Sequence, residues 1–141
     1  MEKPTQPKRL VLYADDDRDD QQFVWEAFFS HAKDIELKIF NSAMNLLDFI
    51  HHRKKDEVLP CLIILDINMP EMNGKEALKF IRKMNRYHDV PVVLFTTSAA
   101  PNDMRFAQQY NAGFFTKPLN DKQMHTIVEK FLDHCNEGIN K

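Results

Sequence analysis

Most of what this chain lacks excludes something. No apolar stretch approaches the roughly 18 residues of a membrane-spanning helix, and residues 1–8 have no apolar core of a signal peptide. Cys61 and Cys135 are too few for a disulfide framework and have no metal-ligand spacing. Both lie in apolar surroundings, so reduced core thiols are the expectation. Lys and Arg number 19 against 21 Asp and Glu, and a net charge of −2 gives no electrostatic reason for a nucleic-acid or membrane partner. The densest basic run, Arg53-Lys54-Lys55, meets Asp56-Glu57 at once and reads as a solvated helix end. The histidines (His31, His51, His52, His88, His125 and His134) show no metal spacing with one another or with cysteine, so surface or helix-packing roles are expected. A cytoplasmic chain is the reading these absences favour. Its 141 residues suit one domain with a sizeable core.

What is present is an alternation of strand-like and helix-like segments. Strands are expected at Leu10–Ala14, Glu36–Phe40, Leu62–Leu65, Val92–Phe95 and Gly113–Thr116. Between and after them come helices over about 19–33, a segment capped by Asn41-Ser42, about 75–86, about 102–111, and one opening at Asn120. In the last helix Met124, Ile127, Val128, Phe131, Leu132 and Cys135 form one wide apolar stripe. Asn120 with Gln123 is close to a capping-box pattern. Trp25 is expected to pack on or partly cover the core. Pro60, Pro70, Pro91 and Pro101 stand at strand boundaries, where a residue with no ladder donor belongs.

The first, third and fourth strands are continuously apolar, as central parallel strands covered on both faces should be. The second alternates, as an edge strand should. Right-handed β-α units then give a doubly wound, five-stranded parallel sheet in an α/β three-layer sandwich, with order 2-1-3-4-5 the common solution. Domain limits follow: a tail over 1–8, one domain over 9–136, and a short tail over 137–141.

Four apolar runs stop on polar residues: the first on Asp15-Asp16, the third on Asp66, the fourth on Thr96 and the last on Lys117. In a parallel sheet these ends share one edge, where open α/β sheets place their ligands. Two carboxylates about 4 Å apart repel by on the order of 4 kcal/mol at an effective dielectric of 20. Asp15, Asp16 and Asp66 therefore suit a hard divalent ion, Mg2+, bound through oxygen. An aspartate is ionised at neutral pH and needs no general base to attack phosphorus, only relief from charge repulsion. Lys117 and the cation supply that relief, and the Thr96 hydroxyl suits a phosphate oxygen.

The segments Leu12-Tyr13-Ala14-Asp15-Asp16-Asp17, Leu65 to Gly74, Phe95-Thr96-Thr97-Ser98 and Thr116-Lys117-Pro118 resemble, in order and spacing, the motifs of response-regulator receiver domains over about residues 8–136. The resemblance implies a flavodoxin-like fold and a stand-alone phosphoacceptor switch, not an enzyme acting on a separate substrate. It implies phosphoryl transfer to Asp66 from a phosphohistidine on a sensor histidine kinase or histidine phosphotransfer protein. Metal ligands would be the Asp16 and Asp66 side chains and the Asn68 carbonyl, with Asp15 acting largely through water. Lys117 would contact the phosphate beside a cis peptide to Pro118, Thr96 would be the switch hydroxyl, and Phe114 would move inward. Phosphorylation would then bias the face carrying Gln108, Tyr110 and Phe114 towards an unidentified downstream protein.

Two positions depart from the family pattern. Thr97 stands where a small residue is common, and its bulk is expected to narrow access and alter the lifetime of the phosphorylated form. Phe114 stands where tyrosine is frequent and lacks its hydroxyl. Three competing readings fit less of the chain. A calcium loop at Asp15-x-Asp17-x-Asp19 with Glu26 has Asp20 where glycine is required. Asp17, Asp19 and Asp20 read better as carboxylates at a helix N-terminus. A haloacid-dehalogenase-type aspartyl phosphatase leaves the Asp66 motif unexplained. An unphosphorylated interaction module would usually lack part of an acidic set that is complete here.

Overall fold

A computed structural model describes residues 8–97 and 99–139, the last three by their backbone alone. Ser98 of the third motif and residues 1–7 of the expected tail lie outside the described residues. The elements are β1 (Arg9–Ala14), α1 (Arg18–His31), β2 (Ile35–Phe40), α2 (Ala43–His51), β3 (Leu62–Asp66), α3 (Gly74–Lys83), β4 (Val92–Thr96), α4 (Pro101–Gln109), β5 (Gly113–Thr116) and α5 (Asp121–Ile139). The strands form one sheet in the order β2-β1-β3-β4-β5, all neighbours parallel.

The apolar patterning explains the layers. Every residue of β3 and β4 is buried, whereas β2, at one edge, mixes buried and exposed positions. Successive strand residues point to opposite faces. Leu12, Ala14, Ile63, Leu65 and Leu94 therefore join one core with Leu46, Leu78 and Ile81 from α2 and α3. Val11, Tyr13, Ile64, Val93 and Phe95 join the other with Val24 and Phe28 of α1 and Val128 and Phe131 of α5.

Caps fix where the helices begin. Asp17 accepts from the Asp20 N–H to open α1, and Ser42 from the Asn45 N–H to open α2. Asn73 and Glu76 form a full capping box on α3. On α5, Asn120 accepts from the Gln123 N–H at 2.9 Å, but Gln123 reaches back to the Leu119 N–H at 3.0 Å instead of to Asn120. Pro101 is the first residue of α4, where its missing N–H costs nothing.

Several expectations need correction. α1 stops at His31 because Ala32 turns extended at φ −143°. α3 stops at Lys83, since Met84 is extended as well. Arg86 lies beyond that helix and donates to the carbonyls of Lys54 and Glu57. α5 continues to Ile139, past Asn136. Trp25 stays 43% exposed and stacks on Phe29, itself at the surface.

The largest correction concerns the cysteines. Cys61, just before β3, and Cys135, buried in α5, are joined as a disulfide with a Cα–Cα distance of 4.7 Å. They are 74 residues apart in sequence. Only the packing of α5 across the start of β3 brings them together, so neither cysteine's local context announces the bond. Accordingly they no longer support a cytoplasmic reading, which rested in part on reduced thiols.

Candidate functional site

Strand register assembles the site. Ala14 pairs with Leu65, Asp66 with Phe95, and Thr96 with Thr116. The residues at or just past these ends, Asp15, Asp66, Thr96 and Lys117, therefore lie along one sheet edge, as expected from the sequence. Asp15 and Thr96 are fully buried, Asp66 is 4% exposed, and Asp16 faces solvent. One carboxylate oxygen from each of Asp15, Asp16 and Asp66 falls within 4.8 Å of the others.

Lys117 neutralises part of this charge. Its Nζ lies 2.7 Å from Asp20, 2.9 Å from Asp15 and 3.4 Å from Asp66. Burial alone would push the ammonium down, but hydrogen bonds to Asp20 and Asp15 and the charges of Asp15 and Asp66 outweigh it and hold the group firmly protonated. Asp15 is fully engaged. Its Oδ2 accepts from the Tyr13 hydroxyl at 2.6 Å and from Lys117, and its Oδ1 accepts from the Asp17 N–H. Burial first, then the charge and hydrogen bond of Asp15, raise the Tyr13 hydroxyl far beyond its ordinary range, so it remains a donor.

Asp66 is differently placed. Burial and then the charge of Asp15 push its carboxyl up to about 7, against the lowering influence of Lys117 and the Asn68 backbone N–H. Negative charge at this edge is thus undercompensated by the protein's own groups. An all-oxygen donor set with such a deficit fits a hard divalent cation.

The backbone around Asp66 is shaped by Gly74. A Cβ there would sit 2.2 Å from the Asp66 carbonyl oxygen, so only glycine lets α3 begin against the end of β3. The Gly74 N–H donates to the Ile67 carbonyl at 3.0 Å, and Glu71 takes a positive φ of 68° in the intervening turn. Asn68 is exposed beside the cluster. The Lys117 N–H donates to the Thr96 carbonyl at 2.6 Å, tying the lysine to the end of β4.

One implied feature is overturned: among the described residues no peptide is cis, so Lys117–Pro118 is trans, the ordinary form of an X-Pro bond. Two participants went unforeseen. Asp20 reads in sequence as a helix N-terminal carboxylate, which explains it sufficiently without a lysine 97 residues away. Tyr13 reads as a strand residue, and only its position two before Asp15, on the same side of β1, hinted at the contact.

Comparison with known proteins places this arrangement in a class. Residues 11–129 match the model of the response regulator receiver domain, and the chain belongs to that family. Its role is that of a phosphoacceptor switch. The response regulator Rcp1 of Synechocystis sp. is 27% identical over 132 residues, which cover 92% of this chain and 90% of Rcp1. The structure of a two-component response regulator from Legionella pneumophila superposes with a TM-score of 0.73 at 31% identity, covering 89% of this chain and 99% of that one. The Mn(2+)-bound form of Rcp1 superposes with a TM-score of 0.75 at 26% identity, covering 86% of this chain and 90% of that one. Among the described residues no helix is long and apolar enough to cross a membrane.

Proposed function

We propose that Asp66 is the phosphoacceptor, taking a phosphoryl group from a phosphohistidine on a histidine kinase or histidine phosphotransfer protein. The observation that carries this reading is the unequal hold on Lys117. Asp15 and Asp20 bind the ammonium at 2.9 and 2.7 Å, whereas Asp66 stands back at 3.4 Å. Asp66 is the buried carboxylate least committed to internal partners, and therefore the one available as a nucleophile.

In the transfer, the bond from the donor imidazole nitrogen to phosphorus breaks as an Asp66 oxygen–phosphorus bond forms. Lys117 is poised to exchange carboxylate for phosphate oxygens, and the Thr96 hydroxyl to donate to another phosphate oxygen. The Asp16 and Asp66 side chains and the Asn68 carbonyl would hold Mg2+, which would supply positive charge to offset that of the phosphoryl group. Asp15, whose oxygens are already engaged by Tyr13, Asp17 and Lys117, would contribute through water. The manganese-bound form of the relative Rcp1 supports a divalent cation in such a site.

The chain acts as a switch that assists its own phosphorylation and dephosphorylation, not as an enzyme on a separate substrate. Drawing Thr96 to the phosphate lets Phe114, packed at the margin of one core, shift inward and alter the α4–β5–α5 surface for a downstream protein. Site of action is the cytoplasm, a reading that rests on the response regulator family and not on the cysteines, which form a disulfide. No nucleic acid or membrane is engaged directly, in keeping with a net charge of −2.

Intact-mass measurement after incubation with acetyl phosphate and Mg2+ tests this reading. A single base-labile phosphoryl adduct, absent from Asp66→Asn, is expected. No adduct from acetyl phosphate or a phosphohistidine donor would leave an interaction module, and ester hydrolysis surviving Asp66→Asn would leave a phosphatase.

A further inference from the structure

Away from the acidic edge, two histidines on different helices meet. His31 is the last residue of α1 and His125 lies in the second turn of α5. The His31 Nε2 and the His125 Nδ1 are 2.6 Å apart, with ring centroids separated by 4.7 Å and planes inclined at 58°. Among the described residues neither ring has another hydrogen-bond partner. Two imidazole nitrogens cannot face each other lone pair to lone pair. They share a proton, or they share a cation.

We infer that His31 and His125 form a two-histidine site for a borderline divalent transition ion of the Zn2+, Ni2+ or Cu2+ class. Imidazole suits these ions, whereas Mg2+ prefers oxygen, so this site and the carboxylate cluster discriminate between cations. Zinc–nitrogen bonds of about 2.0–2.1 Å in tetrahedral geometry place two ligating nitrogens roughly 3.3 Å apart. The rings need to open from 2.6 Å by less than about 1 Å, within the reach of small side-chain rotations. With His31 exposed and His125 half-buried, the remaining coordination positions would be open to water. Backbone separation is already set, because α1 and α5 pack against each other through Phe28 and Phe131. An ion bound there ties the end of α1 to the start of α5. This inference is independent of the assignment of Asp66.

Calorimetric titration of Ni2+ or Zn2+ into the full chain, in excess Mg2+ and with the disulfide intact, tests it. One ion is expected to bind the wild type, with affinity at least tenfold weaker in His31→Ala and in His125→Ala and no weaker again in the double variant. A rise in thermal midpoint with Ni2+, reversed by chelator and absent from both variants, is the second expected readout. Wild-type affinity in either single variant, or no binding by the wild type up to millimolar ion, overturns the site. Loss of binding only in Asp16→Asn also overturns it, by placing the ion in the acidic cluster. Should His125→Ala fail to fold, His31→Ala decides alone, since His31 is exposed at a helix end.

Discussion

The two edges of the sheet handle polar groups in opposite ways. At the carboxyl edge, Asp15, Asp20 and Asp66 share one lysine, with Asp16 close by, and charge is left uncompensated. At the amino edge, the Arg82 guanidinium is satisfied by backbone carbonyls. It donates to Tyr110 at 2.8 Å, Val90 at 2.8 Å and Asn111 at 3.1 Å, joining the loops before β4 and β5. The Cys61–Cys135 disulfide fastens β3 to α5 at that same edge. Charge left over is available to a cation or a phosphoryl group, whereas charge spent on carbonyls only holds loops. On the proposed reading of Asp66 the carboxyl edge gives up stability for reactivity, whereas the contacts at the amino edge only stabilise.

The comparison is broken most severely at Lys117. Lys117→Met leaves three carboxylates without their ammonium, and removing one partner of a buried pair costs about 3–5 kcal/mol. Urea unfolding without divalent cation should show that loss, with Mg2+ restoring part of it, and phosphoryl uptake should slow by about 100-fold.

Arg82→Ala tests the other edge. It orphans carbonyls in two loops, and a loss of about 2–3 kcal/mol is expected. Phosphoryl uptake by the folded variant should stay within about twofold of wild type, because effects at well-separated sites are nearly independent. A large drop in uptake would show that the two edges are coupled.

The smallest effect has the opposite sign. The Asp66 carboxyl is raised in the folded chain to about 7, against roughly 4 when unfolded. The folded state therefore binds the proton more tightly, and wild-type stability falls as pH rises through that window. Without metal, Asp66→Asn should be more stable than wild type by about 1–2 kcal/mol above pH 7, the gain vanishing below about pH 4. Thermal midpoints across pH check it; a variant less stable at pH 8 would mean that Lys117 already compensates Asp66.

Much of this was legible in the chain because the signals are local. Apolar runs ending in Asp15, Asp66, Thr96 and Lys117 carry both the strands and their polar ends, and parallel pairing needs only strand order to bring those ends together. The alternating β2 announced an edge. Gly74 was legible as part of a motif, but the reason for it, a helix start pressed against the Asp66 carbonyl, was not. Helix ends were legible only approximately, because Ala32 and Met84 turn extended without a glycine or proline at those positions.

The sequence by itself determined the strands, their common edge and the acidic motif, since each is written in neighbouring residues at a fixed period. Tertiary structure alone decided the rest. Asp20 reaches Lys117 across 97 residues, Cys61 reaches Cys135 across 74, and His31 reaches His125 across 94. No periodicity encodes such pairs. They arise from how α1 and α5 pack together on one face of the sheet, with α5 also crossing the start of β3, a packing set by Phe28, Phe131 and the other apolar side chains of that core.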